Sequence, residues 1–182
     1  MSGTDPATAD DTKGEGELFA LFRSLGYSLE TVEHEAAHTV DQSRHLRGVI
    51  DGAHTKNLFL KDKKGTVFLV MAEEDQSVDL KRLHTVIGAK GRLSFGSAAL
   101  METLLGVAPG SVTVLGLIND TKGRVNLVVD RRLADAATVN VHPLRNTATT
   151  TLPQEAFRAF LAATGHTPLI VDLPAAEDQP AG

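Results

Sequence analysis

Two apolar runs separated by a short polar turn constrain this chain more than anything else in it. Lys56-Asn-Leu-Phe-Leu60 and Thr66-Val-Phe-Leu-Val-Met71 flank Asp62-Lys-Lys-Gly65. A turn this short joins antiparallel neighbours, because parallel strands need a crossover of about a dozen residues or more. The pair is predicted to be a hairpin, and a purely parallel, doubly wound sheet is excluded.

The rest of the chain alternates helical and extended patterns. Leu18, Leu21, Phe22 and Leu25 recur at helical spacing ahead of Gly26, and Gly is the usual residue just past a helix end. Thr39-x-x-Gln42 is a candidate capping box for a helix through Leu46 and Arg47. Asp79 and Ser97 are predicted N-caps of helices that stop at Gly88 and Gly106, and Pro153 opens a helix through Ala163. Extended segments are predicted at Tyr27–Glu33, Arg92–Phe95, Arg124–Asp130, Thr138–Val141 and Pro168–Leu173. Val112–Ile118 fits strand or helix equally, since so short an apolar run has no readable period. The sum is a single α/β (α+β) domain over residues 15–173. It is built on a mixed, largely antiparallel, barrel-like sheet flanked by helices. Residues 1–14 and 174–182 are small, polar and acidic, and read as disordered tails.

Composition removes several classes of chemistry. The absence of cysteine excludes disulfides, zinc–thiolate sites and thiol nucleophiles, and it fits a cytoplasmic protein. No apolar run approaches the ~20 residues of a membrane span, and no signal-peptide pattern opens the sequence. A net charge of −5 argues against a general nucleic-acid binder. Residues 54–92 are locally basic, with eight Lys/Arg against five Asp/Glu. Charge alone favours a solvated mixed face there over a phosphate-facing patch.

No phosphate-binding Gly-Lys-Ser/Thr loop, Gly-x-Gly-x-x-Gly, Gly-x-Ser-x-Gly or His-Glu-x-x-His occurs. His34 and His38 are four apart, but the extended pattern through Glu35 breaks the helix face a metal would need. Both are expected to be solvated. Three polar stretches remain. His54-Thr55-Lys56-Asn57 sits at the mouth of the first hairpin strand. Lys56 there is either a snorkelling surface group or a fixed cation for a phosphate or a developing oxyanion. Asn140–Thr150 gathers amides, an imidazole and three threonines, which suits turn chemistry or ligand hydrogen bonds. Gly110-Ser-Val-Thr-Val114 is a glycine-led turn whose N–H groups could face an oxyanion, or a plain connection.

Five segments in order resemble the YbaK/ProRS-associated editing family, above all its free-standing prolyl-tRNA editing members. They are His54–Asp62, Gly91–Gly96, Leu105–Val112, Gly116–Asp120 and His142–Thr150. The resemblance implies a mixed α/β barrel-like domain that hydrolyses alanine from mischarged proline tRNA in trans. Lys56 matches the family lysine, which by resemblance would bind the terminal adenosine's phosphate or help place the ester, and His142 matches a pocket histidine, so both are expected to be catalytic. The same resemblance makes His54, Thr55, Asn57, Ser94, Gly110, Ser111, Val112, Asn119, Asn146 and Thr149 the expected substrate-binding set. It implies no metal and no cofactor. Its partners are the acceptor end of a mischarged tRNA and, as a further candidate, prolyl-tRNA synthetase. Monomer and homodimer both stay open. Many relatives carry Gly-x-x-x-Pro in the glycine loop. Val114 stands at the proline position here, which leaves a deacylase for a serine- or cysteine-bearing tRNA as an alternative. A non-catalytic tRNA-binding module is the rival from another class.

Overall fold

A computed structural model describes residues 12–36 and 48–176. His38, His45 and the expected helix after Thr39 lie outside the described residues, as do most of both expected tails. In chain order the elements are α1 (Glu15–Ser24), β1 (Glu30–Glu33), β2 (Ala53–Lys61), β3 (Val67–Glu73), α2 (Leu80–Val86), β4 (Ser94–Phe95) and α3 (Ala98–Leu105). A 3-10 helix (Val114–Asn119) follows, then β5 (Val125–Asp130), α4 (Arg131–Ala134), β6 (Thr138–Val141), β7 (Ala148–Pro153), α5 (Gln154–Thr164) and β8 (Leu169–Val171). No helix among the described residues is long and apolar enough to cross a membrane.

The hairpin forms as predicted. β2 and β3 pair antiparallel from Thr55↔Glu73 to Lys61↔Val67. Asp62 knits the turn: its Oδ1 accepts from the Lys64 and Thr66 amides at 2.9 and 3.0 Å, and its Oδ2 accepts from Lys90 N–H at 2.9 Å. Those three donors hold its carboxyl below the usual aspartate range.

β3 explains why its sequence is apolar almost without interruption. Val67, Leu69 and Met71 face one core with α1, α3 and α5, while Phe68, Val70 and Ala72 face a second core with Leu83 and Ile87 of the α2 region. A strand buried on both faces cannot alternate with polar residues. The larger core is closed by Phe22 of α1 stacked on Phe160 of α5, ring centroids 5.4 Å apart.

The sheet is mixed and flanked by helices, with the strand path β1-β7-β6-β2-β3-β5-β8. β1/β7, β2/β3, β2/β4 and β6/β7 pair antiparallel, and β2/β6, β3/β5 and β5/β8 pair parallel. The path is open, with β1 and β8 as its ends. β2 has a further property that places the site. On one edge it is covered by β3. On the other, Ala53 and His54 pair with β6, whereas Leu60 and Lys61 pair with β4. Among the described residues no strand lies between those two partners, so the sheet forks beside Lys56, Asn57 and Leu58.

Three local outcomes differ from the pattern reading. Val112–Ile118 resolves into the 3-10 helix, whose residues Val114 to Ile118 are all buried. A segment apolar on every side has no face for periodicity to report. The polar stretch ending at Thr150 is a loop only to Thr147, because Ala148–Pro153 is β7, and buried Thr150 hydrogen-bonds Thr31 of β1 at 2.8 Å. β-branched threonines serve strands as well as turns. Finally, ordered chain extends past both expected domain limits. Lys13 N–H donates to Asn119 Oδ1 at 2.7 Å, and Pro174 O accepts from Asp79 N–H at 2.8 Å.

Candidate active site

The fork opens a cleft of about 310 Å³. β2 contributes His54, Thr55, Lys56 and Asn57. Residues at and after the end of β6 contribute Asn140, Val141 and His142, the following loop Asn146, and β7 Thr149. Gly110 and Val112 close it from the glycine-led turn, and Glu74 lies at the exit of β3. Stretches spread from His54 to Thr149 thus converge because β2 leaves one neighbour before it meets the next.

Lys56 is half-buried, and its Nζ donates to the Gln76 carbonyl. Burial pushes its pKa below the ordinary lysine value, while the carboxylates of Asp75 and Glu74 pull it back up. The Gln76 side chain is anchored in turn, its Nε2 donating to buried Asp130 Oδ2 at 3.4 Å. The cation is therefore aimed by a supporting layer and does not sweep through solvent.

Three imidazoles stand near the cleft, and each spends one N–H on a backbone carbonyl. His54 Nε2 donates to Ile50 O at 2.9 Å, His142 Nδ1 to Ala148 O at 3.0 Å, and His34 Nδ1 to Glu35 O at 2.8 Å. In the neutral ring the other nitrogen is an acceptor. Burial favours that neutral form at His142 by pushing its pKa down. The Ala148 hydrogen bond and Glu74 oppose the shift, and His34 and His54 reinforce it.

The two loops that meet over the cleft are tied to each other. Buried Thr113 donates its hydroxyl to His142 O at 2.7 Å and accepts from Leu115 N–H at 3.2 Å. Gly110 adopts φ +90, a left-handed turn conformation that suits glycine. Leu144 takes φ 68 without that freedom and packs against the main core. The next residue, Arg145, pins the loop through Glu15 Oε2 at 2.9 Å, through the Glu33 carboxylate and through Thr147 Oγ1 at 3.0 Å.

The structure brings together nine of the twelve residues expected from sequence: His54, Thr55, Lys56, Asn57, Gly110, Val112, His142, Asn146 and Thr149. It leaves three outside the cleft lining. Ser94 is exposed on β4. Ser111 lies beside the lining residues, with its N–H donated to Ala108 O. Asn119 is a clamp, its Nδ2 donating to Leu105 O and Lys13 O at 3.1 Å each. Val114, the position that departs from the family loop, is buried in the 3-10 helix and does not line the cleft.

His34 departs from the solvated state that its sequence context predicts. It is half-buried instead, with Nε2 2.8 Å from Thr149 Oγ1 and its ring 6.4 Å from that of His142. Its signal was available only through the β1/β7 register, which pairs Glu33 with Ala148. Among the described residues no group of three His, Cys, Asp or Glu side chains could hold a metal ion.

Comparison with known proteins identifies the family. The aminoacyl-tRNA editing domain matches residues 34–160, a span that contains every cleft residue. The chain is 32% identical over 164 residues to the prolyl-tRNA editing protein ProX of Acetoanaerobium sticklandii, covering 90% of this chain and 99% of that protein. It is 36% identical over 161 residues to prolyl-tRNA synthetase associated domain-containing protein 1 of Danio rerio, covering 85% of each. Among solved structures, a candidate trans-editing enzyme for prolyl tRNA synthetase shares the fold with a TM-score of 0.65 at 20% identity, over 89% of this chain and 97% of that one. A hypothetical protein at 22% identity also gives a TM-score of 0.65. With the domain matched over most of its length, the chain belongs to the aminoacyl-tRNA editing domain family.

Proposed function

We propose that the protein is a trans-acting deacylase that hydrolyses the ester of mischarged alanyl-tRNA(Pro). The observation that carries this reading is the convergence of Lys56, His142 and the Gly110 turn on one cleft, in a chain whose relatives include a prolyl-tRNA editing protein. An aminoacyl ester is already activated, so orientation and charge stabilisation can supply the catalysis without a protein nucleophile. Water adds to the ester carbonyl, the bond to the ribose oxygen breaks, and the proton released by water ends on that oxygen. Free alanine and deacylated tRNA are the products.

Each residue then has a role that its environment supports. Lys56 is the fixed cation for the terminal phosphate or for charge that develops on the ester. Neutral His142, with Nε2 as acceptor, takes a hydrogen bond from the attacking water or from the adjacent ribose hydroxyl. The Gly110 turn borders the acyl group with its backbone at Gly110 and Val112, the Ser111 N–H being committed to Ala108 O. Val112 supplies the apolar wall for the alanine methyl. A volume of about 310 Å³ lies at the small end of ligand clefts, roughly 300–1,000 Å³, which suits a ribose with a small acyl group. Selection among small side chains then rests on differences of about 1–3 kcal/mol per methylene. In this reading the acceptor end of tRNA is the partner that enters the cleft, the protein works in the cytoplasm, and stable binding to prolyl-tRNA synthetase is not required for turnover.

The test is ester hydrolysis on alanyl-tRNA(Pro). Wild type is expected to turn over repeatedly, and Lys56→Ala to lose about a hundredfold in kcat/KM. Equal rates in the two proteins would remove the role given to Lys56. No hydrolysis by wild type would overturn the function, and binding without turnover would favour a sequestering module. A panel of mischarged tRNAs checks the alanine assignment, with serine and cysteine as the competitors.

A further inference from the structure

Beside the donors that Lys56 and the asparagine amides bring, the cleft lining holds two side-chain oxygens with no proton to offer a ligand. Thr149 lines it and is 5% exposed. Its hydroxyl is 2.8 Å from His34 Nε2. Because His34 Nδ1–H is committed to Glu35 O, the neutral ring takes the hydroxyl proton at Nε2. Thr149 Oγ1 therefore presents lone pairs to the cleft. On β2, Asn57 Oδ1 is buried with no hydrogen-bond partner among the described residues. A buried acceptor without a partner, on a residue of the cleft lining, calls for a donor. Glu74, also in the lining, adds negative charge.

The reading above places an aminoacyl ester here, and such an ester carries one group that matches this wall. Its α-ammonium has three N–H donors, a positive charge and no acceptor. Resting on that reading, we propose that the site recognises the free α-ammonium of the aminoacyl group, with Thr149 Oγ1 and Asn57 Oδ1 as its acceptors and His34 as the positioning residue that turns the Thr149 proton away. An N-acylated ester loses the charge and two of the three donors that would meet Thr149 Oγ1 and Asn57 Oδ1. Peptidyl and formylated esters are then spared, and only tRNA with an unblocked amino acid is cleared.

The experiment compares alanyl-tRNA(Pro) with N-acetyl-alanyl-tRNA(Pro). Wild type is expected to favour the free amine by about tenfold to a hundredfold in kcat/KM, the size of a lost charge-assisted hydrogen bond. Thr149→Val and His34→Ala should shrink that ratio by raising KM for alanyl-tRNA(Pro), with little change on the acetylated ester. Thr149→Ser should retain the preference. His34→Gln, which can offer Oε1 as the acceptor in place of Nε2, should restore part of it. A merely structural role for His34 would lower both rates together and leave the ratio intact, which would overturn the positioning role. Equal hydrolysis of the two esters by an active wild type would overturn ammonium recognition and leave the deacylase reading standing. If wild type cleaves neither ester, both fall.

Discussion

His142 shows what burial does to a single residue here. Its imidazole is held neutral because the cleft disfavours the charged form more than Glu74 and the Ala148 carbonyl favour it. A histidine whose folded pKa is depressed costs nothing above the unfolded value, about 6.5. Below that, the unfolded chain takes up its proton more readily than the folded one, so stability falls as pH drops towards the folded pKa. Denaturant titrations at pH 7.5 and 5.5 should show that loss, and His142→Gln should lessen it. The activity of the wild type should rise with pH through an apparent pKa below about 6.5 and then level off; a bell centred on alkaline pH would contradict neutral His142 as the acceptor. Composition could nominate Lys56, at the polar mouth of an apolar strand, whereas His142 stood in a polar loop and was singled out only by the family resemblance. Neither could nominate His34, whose place beside Thr149 depends on the pairing of two strands more than a hundred residues apart.

At the scale of elements, two side chains of opposite kind hold the loops over the cleft. Arg145 links its loop to α1 and β1, but its side chain is 32% exposed and its partner Glu33 is 71% exposed. Exposed ion pairs contribute about 1 kcal/mol or less, so Arg145→Met should barely move the melting temperature. Its effect belongs in KM, through the loop that carries Asn146. Thr113 is the opposite case. It is fully buried and satisfies both His142 O and Leu115 N–H. Thr113→Val strands both groups and should cost about 1–3 kcal/mol of stability in a urea titration, with a loss of activity from the loosened His142 loop. Elements with one apolar face, such as α1 and α5, were legible because periodicity reports a boundary between core and water. The 3-10 helix was not, since burial on every side erases the period. β7 was hidden for another reason: Thr149, Thr150 and Thr151 suit a turn and a strand alike until β1 and β6 pair with them.

For the whole molecule, the hairpin read from sequence was enough to exclude a purely parallel sheet, and the structure shows why it organises the rest. β2 belongs to two groups of strands at once, with β6, β7 and β1 on one side and β3, β5 and β8 on the other. Nothing in the residues of β2 announces that it changes partner along one edge, because that depends on where β4 and β6 arrive. The anchor of the far branch is Gly96, whose N–H donates to Phe59 O at 2.9 Å. A Cβ at this position would sit 2.5 Å from the Phe59 ring. Gly96→Ala should therefore push β4 from β2, lower stability by about 1–3 kcal/mol and alter KM, although Gly96 touches no residue of the candidate chemistry.

That last point changes what kind of object the cleft is. A pocket carved into a surface has a size fixed by the side chains at its floor. A gap between diverging strands has an aperture, set by an angle. Small repacking at Gly96, Phe59 or Phe95 can widen or narrow it by degrees, while Lys56 and His142 keep their own supports at Gln76 and Ala148. The groups the cleft admits can thus change by degrees with no change to any residue that lines it. Selectivity inferred from the cleft lining alone will miss the residues that adjust it.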